Sequence, residues 1–194
     1  MSRPRIKVES VKVKSSPSAK YLLSPISYLL SPISICCLIA FDQATKCLVR
    51  AHFALHESRP VIRDFFSLTY VQNRGAAWGI LAGWRIALVA IAAVMLFVLA
   101  HYREKIFGTR AIGRVSFVLL VAGIIGNVID RVWLGYVVDF LDFYVGTSHF
   151  PAFNVADSCI CIGVGLYMLA SLALGNREEG TGKREQGRGN GDFQ

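Results

Sequence analysis

The chain has 194 residues, 54% of them hydrophobic, and a formal net charge of +8. That length fits one domain, and the long uncharged runs between clustered charges exclude a soluble domain, which spreads its charges to keep a surface wet. Basic clusters beside apolar spans suit loops facing anionic lipid and the cytoplasm, and no nucleic-acid motif accompanies them.

From the N-terminus, Met1 to Lys20 is basic and an apolar run follows. Tyr21 to Ser27 reads YLLSPIS, and Tyr28 to Ser34 repeats it letter for letter. Pro25 and Pro32 discourage a regular helix through both copies, so residues 1–27 read as a basic tail with a repeat-bearing extension. A cleaved signal peptide is the competing reading. No small-residue cleavage site precedes the polar residues, and the run continues into Asp42, so a retained helix is expected.

The first hydrophobic span runs from about Tyr28 to Val49, interrupted by Asp42 and Lys46. From Phe53 to Trp84 a small extra-membrane element is expected, in which Thr69, Tyr70 and Val71 have strand propensity; an interfacial helix is the alternative. The second span covers Ile86 to Tyr102 and the third Val115 to Ile129, which is short unless it extends toward Ala111 and Arg131. A loop carrying Asp139 and Asp142 follows, and the fourth span runs from Ser158 to Leu174. Each stretch approaches the roughly 17 to 25 residues that cross a bilayer as a helix. The expected fold class is therefore an all-α polytopic membrane protein, with four transmembrane helices over residues 28–174 and a small, strand-capable element on the outer side. Residues 175–194, rich in glycine and charge, read as a disordered cytoplasmic tail.

Lysine and arginine counts orient the bundle. Fourteen lie in the two tails and between spans two and three, against six in the other two loops, which puts both termini in the cytoplasm. On that topology Asp42, Asn73, Asn127, Asp130, Arg131, Asp139, Asn154 and Asp157 all reach the outer side. Carboxylates at a membrane boundary are costly and usually functional, and a convergence from every span is hard to read as a set of helix caps. The five cysteines, Cys36, Cys37, Cys47, Cys159 and Cys161, read as small buried hydrophobes.

Five stretches then carry a specific resemblance: Asp42-Gln43-Ala44-Thr45-Lys46, Asn73-Arg74-Gly75-Ala76-Ala77-Trp78, Gly126-Asn127-Val128-Ile129-Asp130-Arg131, Val137-Val138-Asp139-Phe140 and Phe153-Asn154-Val155-Ala156-Asp157. In order and spacing they resemble the blocks of the lipoprotein signal peptidase (signal peptidase II) family, over about Ser34 to Leu174. Trp78 stands where the family more often has Phe, and the repeat-bearing N-terminus is longer than usual.

The resemblance implies a membrane aspartic endopeptidase of the bacterial inner membrane. Its substrate would be a prolipoprotein cut just before a cysteine that carries diacylglycerol. The implied catalytic pair is Asp139 and Asp157, with no metal and no cofactor. Two carboxylates held close cannot both ionise, so one keeps a proton while the other activates water. The competing reading of Asp157 alone is a helix cap. Asn127 and Asn154 are expected to support the pair or hold substrate backbone. Asn73, Gly75 and Ala76 lie in an extra-membrane segment whose small residues would let a peptide backbone approach closely. Arg131 would pair with Asp130 or steer the pKa values of the catalytic pair, with structural pairing the blander role. Asp42 and Lys46 lie four apart on one helix face, where a plain intrahelical ion pair is the blander alternative; the resemblance makes Asp42 functional. His149 reads as structural, and Trp78, Trp84, Trp133, Tyr136, Phe140, Phe143 and Tyr144 as mostly an interfacial belt. Expected partners are the prolipoprotein and membrane lipid, with no nucleic acid, the chain acting as a monomer.

Two other classes stay open on residues alone. In a magnesium-dependent hydrolase of lipid phosphates the aspartates would be ligands. In a non-enzymatic subunit the polar face would bind a partner helix, and Asp139→Asn would be harmless.

Overall fold

The computed structural model describes the backbone of residues 18–75, 83–108 and 110–189, and the side chains of residues 32–75, 83–108 and 110–172. Trp78, with Ala76 and Ala77 of its block, lies outside the described residues, as does the basic tail before Ser18. In chain order the elements are α1 (Ser18–His52), β1 (Ser58–Ile62), β2 (Phe66–Asn73), α2 (Arg85–His101), α3 (Arg103–Phe107), α4 (Ala111–Trp133), β3 (Val137–Val145), β4 (Ser148–His149) and α5 (Val155–Gly189).

Among the described residues, three helical stretches are long and apolar enough to cross a membrane: Pro32–His52, Ala111–Trp133 and Val155–Leu172. The apolar α2, with 17 residues, is shorter and buries none of them. The third stretch is longer than its most apolar part suggests, because Asn127, Asp130 and Arg131 continue the helix to Trp133.

Two helices extend further than the residues suggest. Helix α1 passes through Pro25 and Pro32; a proline deletes one backbone bond, a loss that apolar helices tolerate where neighbouring groups satisfy the freed carbonyl. Helix α5 continues to Gly189, through the stretch read as a disordered tail; that stretch contains no proline, and its Glu, Arg and Lys residues favour helix.

Strand structure is more extensive than expected. Strands β1, β2, β3 and β4 form one antiparallel order, and the segment read as a loop around Asp139 is its longest member. The sequence VVDFLDFYV is dense in β-branched and aromatic residues, but β3 is buried on both faces over its first half and so lacks the apolar–polar alternation of a half-exposed strand. Successive side chains point to opposite faces. Val138 and Phe140 pack with Val49 of α1 and Tyr70 of β2, while Val137 and Asp139 face a cavity. Phe140 is thus core, whereas Trp84 and Trp133 stay strongly exposed, as belt residues would.

Helices α4 and α5 meet along a seam of small residues. A side chain at Gly123 would strike the Ala156 carbonyl, and one at Gly163 would come within 2.9 Å of Leu120. Across the seam Ser116 Oγ donates to the Gly163 carbonyl at 2.7 Å. Close backbone approach and interhelical hydrogen bonds of this kind hold helices together where burial from water cannot. Of the cysteines only Cys159 is buried; Cys36, Cys37, Cys47 and Cys161 are exposed. In a membrane an apolar outward face costs nothing, so the expectation of burial fails for them.

Candidate active site

At the sheet end of the bundle a cavity of about 320 Å³ lies between α4, α5 and β3. One side is polar, with Asn73, Asn127, Arg131, Asp139 and Asp157; the other is apolar, with Phe150, Pro151, Ala152, Phe153 and Ile160. The apolar wall is fastened to the sheet. The Phe150 N–H donates to the Phe143 carbonyl at 2.8 Å, and Phe153 exchanges backbone bonds with Leu141 at 3.1 and 2.8 Å.

Asp139 and Asp157 reach this cavity from different elements. Asp139 stands in the middle of β3. Its Oδ1 accepts from Asn154 Nδ2 at 2.7 Å, and its Oδ2 from Asn73 Nδ2 at 3.0 Å. Asp157 sits in the first turn of α5. Its Oδ1 accepts from Asn127 Nδ2 at 2.7 Å and its Oδ2 from the Asn154 N–H at 3.2 Å. In return Asn154 Oδ1 accepts the Asp157 N–H at 2.9 Å. This reciprocal pair is a capping box with Asn154 as the N-cap; Asp157 reaches back to it with one oxygen and accepts from Asn127 with the other. The amide of Asn154 also lies 3.3 Å from Asn127 Oδ1, which links the supports of the two carboxylates directly.

Electrostatics follow from this enclosure. Burial, and then the charge of Asp157, push the Asp139 carboxyl up to about 7, against the Asn73 and Asn154 hydrogen bonds and the more distant charge of Lys46, which pull it down. Each of the four carboxylate oxygens accepts one N–H and has capacity for one further partner.

Behind the pair lies a second polar cluster. Lys46 Nζ is 2.9 Å from Asp42 Oδ2, 3.1 Å from Asp130 Oδ2 and 3.1 Å from Asn127 Oδ1, with Lys46, Asp42 and Asp130 each only 2% exposed. The intrahelical ion pair therefore forms, and it also crosses to α4. Arg131 does not pair with Asp130. Its guanidinium donates to the carbonyls of Asn127 at 3.2 Å and Gly75 at 2.8 Å, because Asp130 points inward to Lys46 while Arg131 borders the cavity. Asn73 anchors Asp139 and accepts the Gly75 N–H at 2.9 Å, so this segment is pinned to the carboxylate.

All ten residues singled out from the sequence thus belong to one connected network. Sequence reasoning missed Gln43, whose Nε2 reaches Asp42 Oδ2, the Gly126 carbonyl and Asp130 Oδ1 at 3.0–3.1 Å. Its place next to Asp42 in the first block was the available signal. It also missed the Phe150–Phe153 wall, which carries no polar signature. Asp142 and His149 lie apart from the cavity; His149 Nδ1 is 2.9 Å from Asp142 Oδ1 and the ring stacks on Tyr144, the structural role expected of it.

The sequence profile described as signal peptidase (SPase) II matches residues 34–173. A lipoprotein signal peptidase of Syntrophotalea carbinolica is 45% identical over 144 residues, covering 73% of this chain and 89% of that protein. One of Photorhabdus laumondii is 41% identical over 140 residues, covering 69% and 82%. A solved bacterial membrane enzyme, obtained by the in meso method at 2.3 Å resolution, aligns with a TM-score of 0.69 and 38% identity over 74% of this chain and 88% of its own. With the profile spanning most of its length and relatives this similar, the chain belongs to the signal peptidase II family of membrane proteases.

Proposed function

We propose that this protease cuts the signal peptide from prolipoproteins just before a diacylglyceryl-modified cysteine, with Asp139 and Asp157 as its catalytic pair. The family and its lipoprotein signal peptidase members carry the activity. The observation that carries the assignment of residues is that the two carboxylates wall one cavity and are joined through Asn154 and Asn127. One of the pair holds a proton and polarises the scissile carbonyl; the other, ionised, takes a proton from water as it attacks. The proton belongs to the pair rather than to one residue. Protonation of the departing amine completes hydrolysis without a covalent intermediate. The apolar wall of Phe150, Pro151, Phe153 and Ile160 suits a lipid-bearing substrate arriving sideways from the bilayer.

The same reading takes α2 as a fourth span, since its 17 residues reach about 25 Å and Trp84 and Tyr102 flank it. Both termini are then cytoplasmic, and the sheet and cavity lie at the outer face of the inner membrane. The protein is taken to work as a monomer.

The test is cleavage of a diacylglyceryl-modified prolipoprotein by purified wild type, Asp139→Asn and Asp157→Asn, each with and without EDTA. Wild-type cleavage indifferent to chelator, with turnover reduced at least about 1,000-fold in both variants, is expected. Activity in either variant, or loss of wild-type activity in EDTA, overturns the aspartic assignment.

A further inference from the structure

We propose that Lys46 and Gln43 are positioning residues, which clasp Asp42 and Asp130 into a second carboxylate pair that sets the spacing of Asp139 and Asp157; this rests on reading the latter two as catalytic. The observation is a symmetry in the backbone bonds. Asp42 Oδ1 accepts the N–H of Ala156, the residue before Asp157, at 2.9 Å. Asp130 Oδ2 accepts the N–H of Val138, the residue before Asp139, at 3.1 Å. Each cavity aspartate is therefore hung from a buried carboxylate through the peptide that precedes it.

The two buried carboxylates come from different helices, Asp42 from α1 and Asp130 from α4. Unbridged, they would repel and drift apart. Lys46 Nζ stands between them at 2.9 and 3.1 Å, and Gln43 Nε2 reaches both from the same helix at 3.1 and 3.0 Å. The third bond of Lys46, to Asn127 Oδ1, orients that amide so that its Nδ2 is delivered to Asp157. Gly126 makes room for the clasp: a side chain there would come within 2.7 Å of Asp42 Oδ2. The Ala156 N–H lies in the first turn of α5, where helix geometry supplies no partner of its own, so Asp42 fixes the start of the helix that carries Asp157. The clasp links the β3 peptide to the α5 peptide, and the distance between the two carboxylates follows from it.

Two variants test this, measured beside Asp139→Asn and Asp157→Asn. The first, Lys46→Met with Asp42→Asn, removes the ammonium and one carboxylate together, so the ionised cluster keeps a net charge of −1 and leaves no extra unpaired charge. The second, Gln43→Met, removes only the amide at nearly constant volume. Neither variant replaces a residue that lines the cavity. A positioning role predicts that kcat falls about 100-fold in the first and about 10-fold in the second, because small misplacements of reacting groups are costly. It also predicts that KM stays where it is in both, and that the midpoint of the pH profile stays in Gln43→Met, which keeps the Lys46 charge, a split that general destabilisation does not produce. A correctly folded double variant with kcat within about threefold of wild type overturns the proposal. If the double variant does not fold, Gln43→Met decides alone, and unchanged kcat there overturns it. Turnover retained in Asp139→Asn or Asp157→Asn refutes the catalytic reading itself. Inactivity of those two with full activity in the clasp variants refutes only the clasp.

Discussion

Asp139 is held by two amides and by backbone on both sides, yet burial and a neighbouring carboxylate push its pKa from an ordinary 3.8 to about 7. Between those values the folded chain keeps a proton that the unfolded chain has lost, so this group's contribution to stability falls as pH rises through that window. With Asp139 and Asp157 proposed as the catalytic pair, activity is expected to have the matching limb: the pair loses its single proton above about pH 7, and kcat/KM falls on the alkaline side. The Asn73 hydrogen bond lowers the value, so Asn73→Ala is expected to move that limb to higher pH. A kcat/KM profile of both proteins checks the direction, and a limb that stays in place or moves down refutes it. At this scale Asp139 and Asp157 were legible because each sits inside a recognisable block. Gln43 was not, because two of its three acceptors lie 83 and 87 residues away. Arg131 and Asp130 misled for the opposite reason. They are adjacent in sequence, but successive residues on a helix point in different directions.

Among the elements, α4 does the most joining, and its glycines show how. A methyl at Gly126 would approach Asp42 Oδ2 and the Ala156 methyl, at 2.7 and 3.2 Å, so α1 and α5 cannot both keep their places. Gly126→Ala is expected to destabilise the protein by about 1–3 kcal/mol, the usual cost of overpacking a filled seam. Gly165→Ala on α5, where nothing lies within 4 Å, gains helix propensity instead and should be neutral or stabilising by up to about 1 kcal/mol. Thermal unfolding of both variants in one detergent separates them; equal behaviour would show that the seam is looser than described. The helices long and apolar enough to cross a membrane were readable from hydropathy alone. Strand β3 was not, because burial on both faces removed the alternation that marks a strand, and two aspartates in its middle made it resemble a loop. Helices α1 and α5 ran long for a further reason: proline and glycine are weak stops when the rest of a stretch favours helix.

The described residues divide along α4 into a polar end and an apolar one. Sheet, cavity and clasp gather at one end of α4, while Phe107, Phe117 and Leu120 pack with α3 at the other. From Phe117 to Asp130 the helix rises about 20 Å, a large part of a bilayer's hydrocarbon thickness of about 30 Å. The convergence of polar residues at one end could be foreseen, because antiparallel spans bring the exit of one beside the entry of the next; the sheet that closes that end could not. The proposed orientation rests on the arginines and lysines, fourteen of which lie in the tails and between spans two and three against six in the other two loops. In a background with all five cysteines replaced by alanine, Ser58→Cys, on exposed β1, should react with a membrane-impermeant maleimide in cells whose inner membrane is intact. Lys105→Cys, in the short α3 between spans two and three, should react only after that membrane is permeabilised. The reverse pattern would turn the molecule over and place the cavity in the cytoplasm. Labelling of both sites in intact cells would mean that α2 and α4 do not cross as two separate spans. Only the first pattern sets the cavity where an exported, lipid-modified chain can reach it from the outer leaflet.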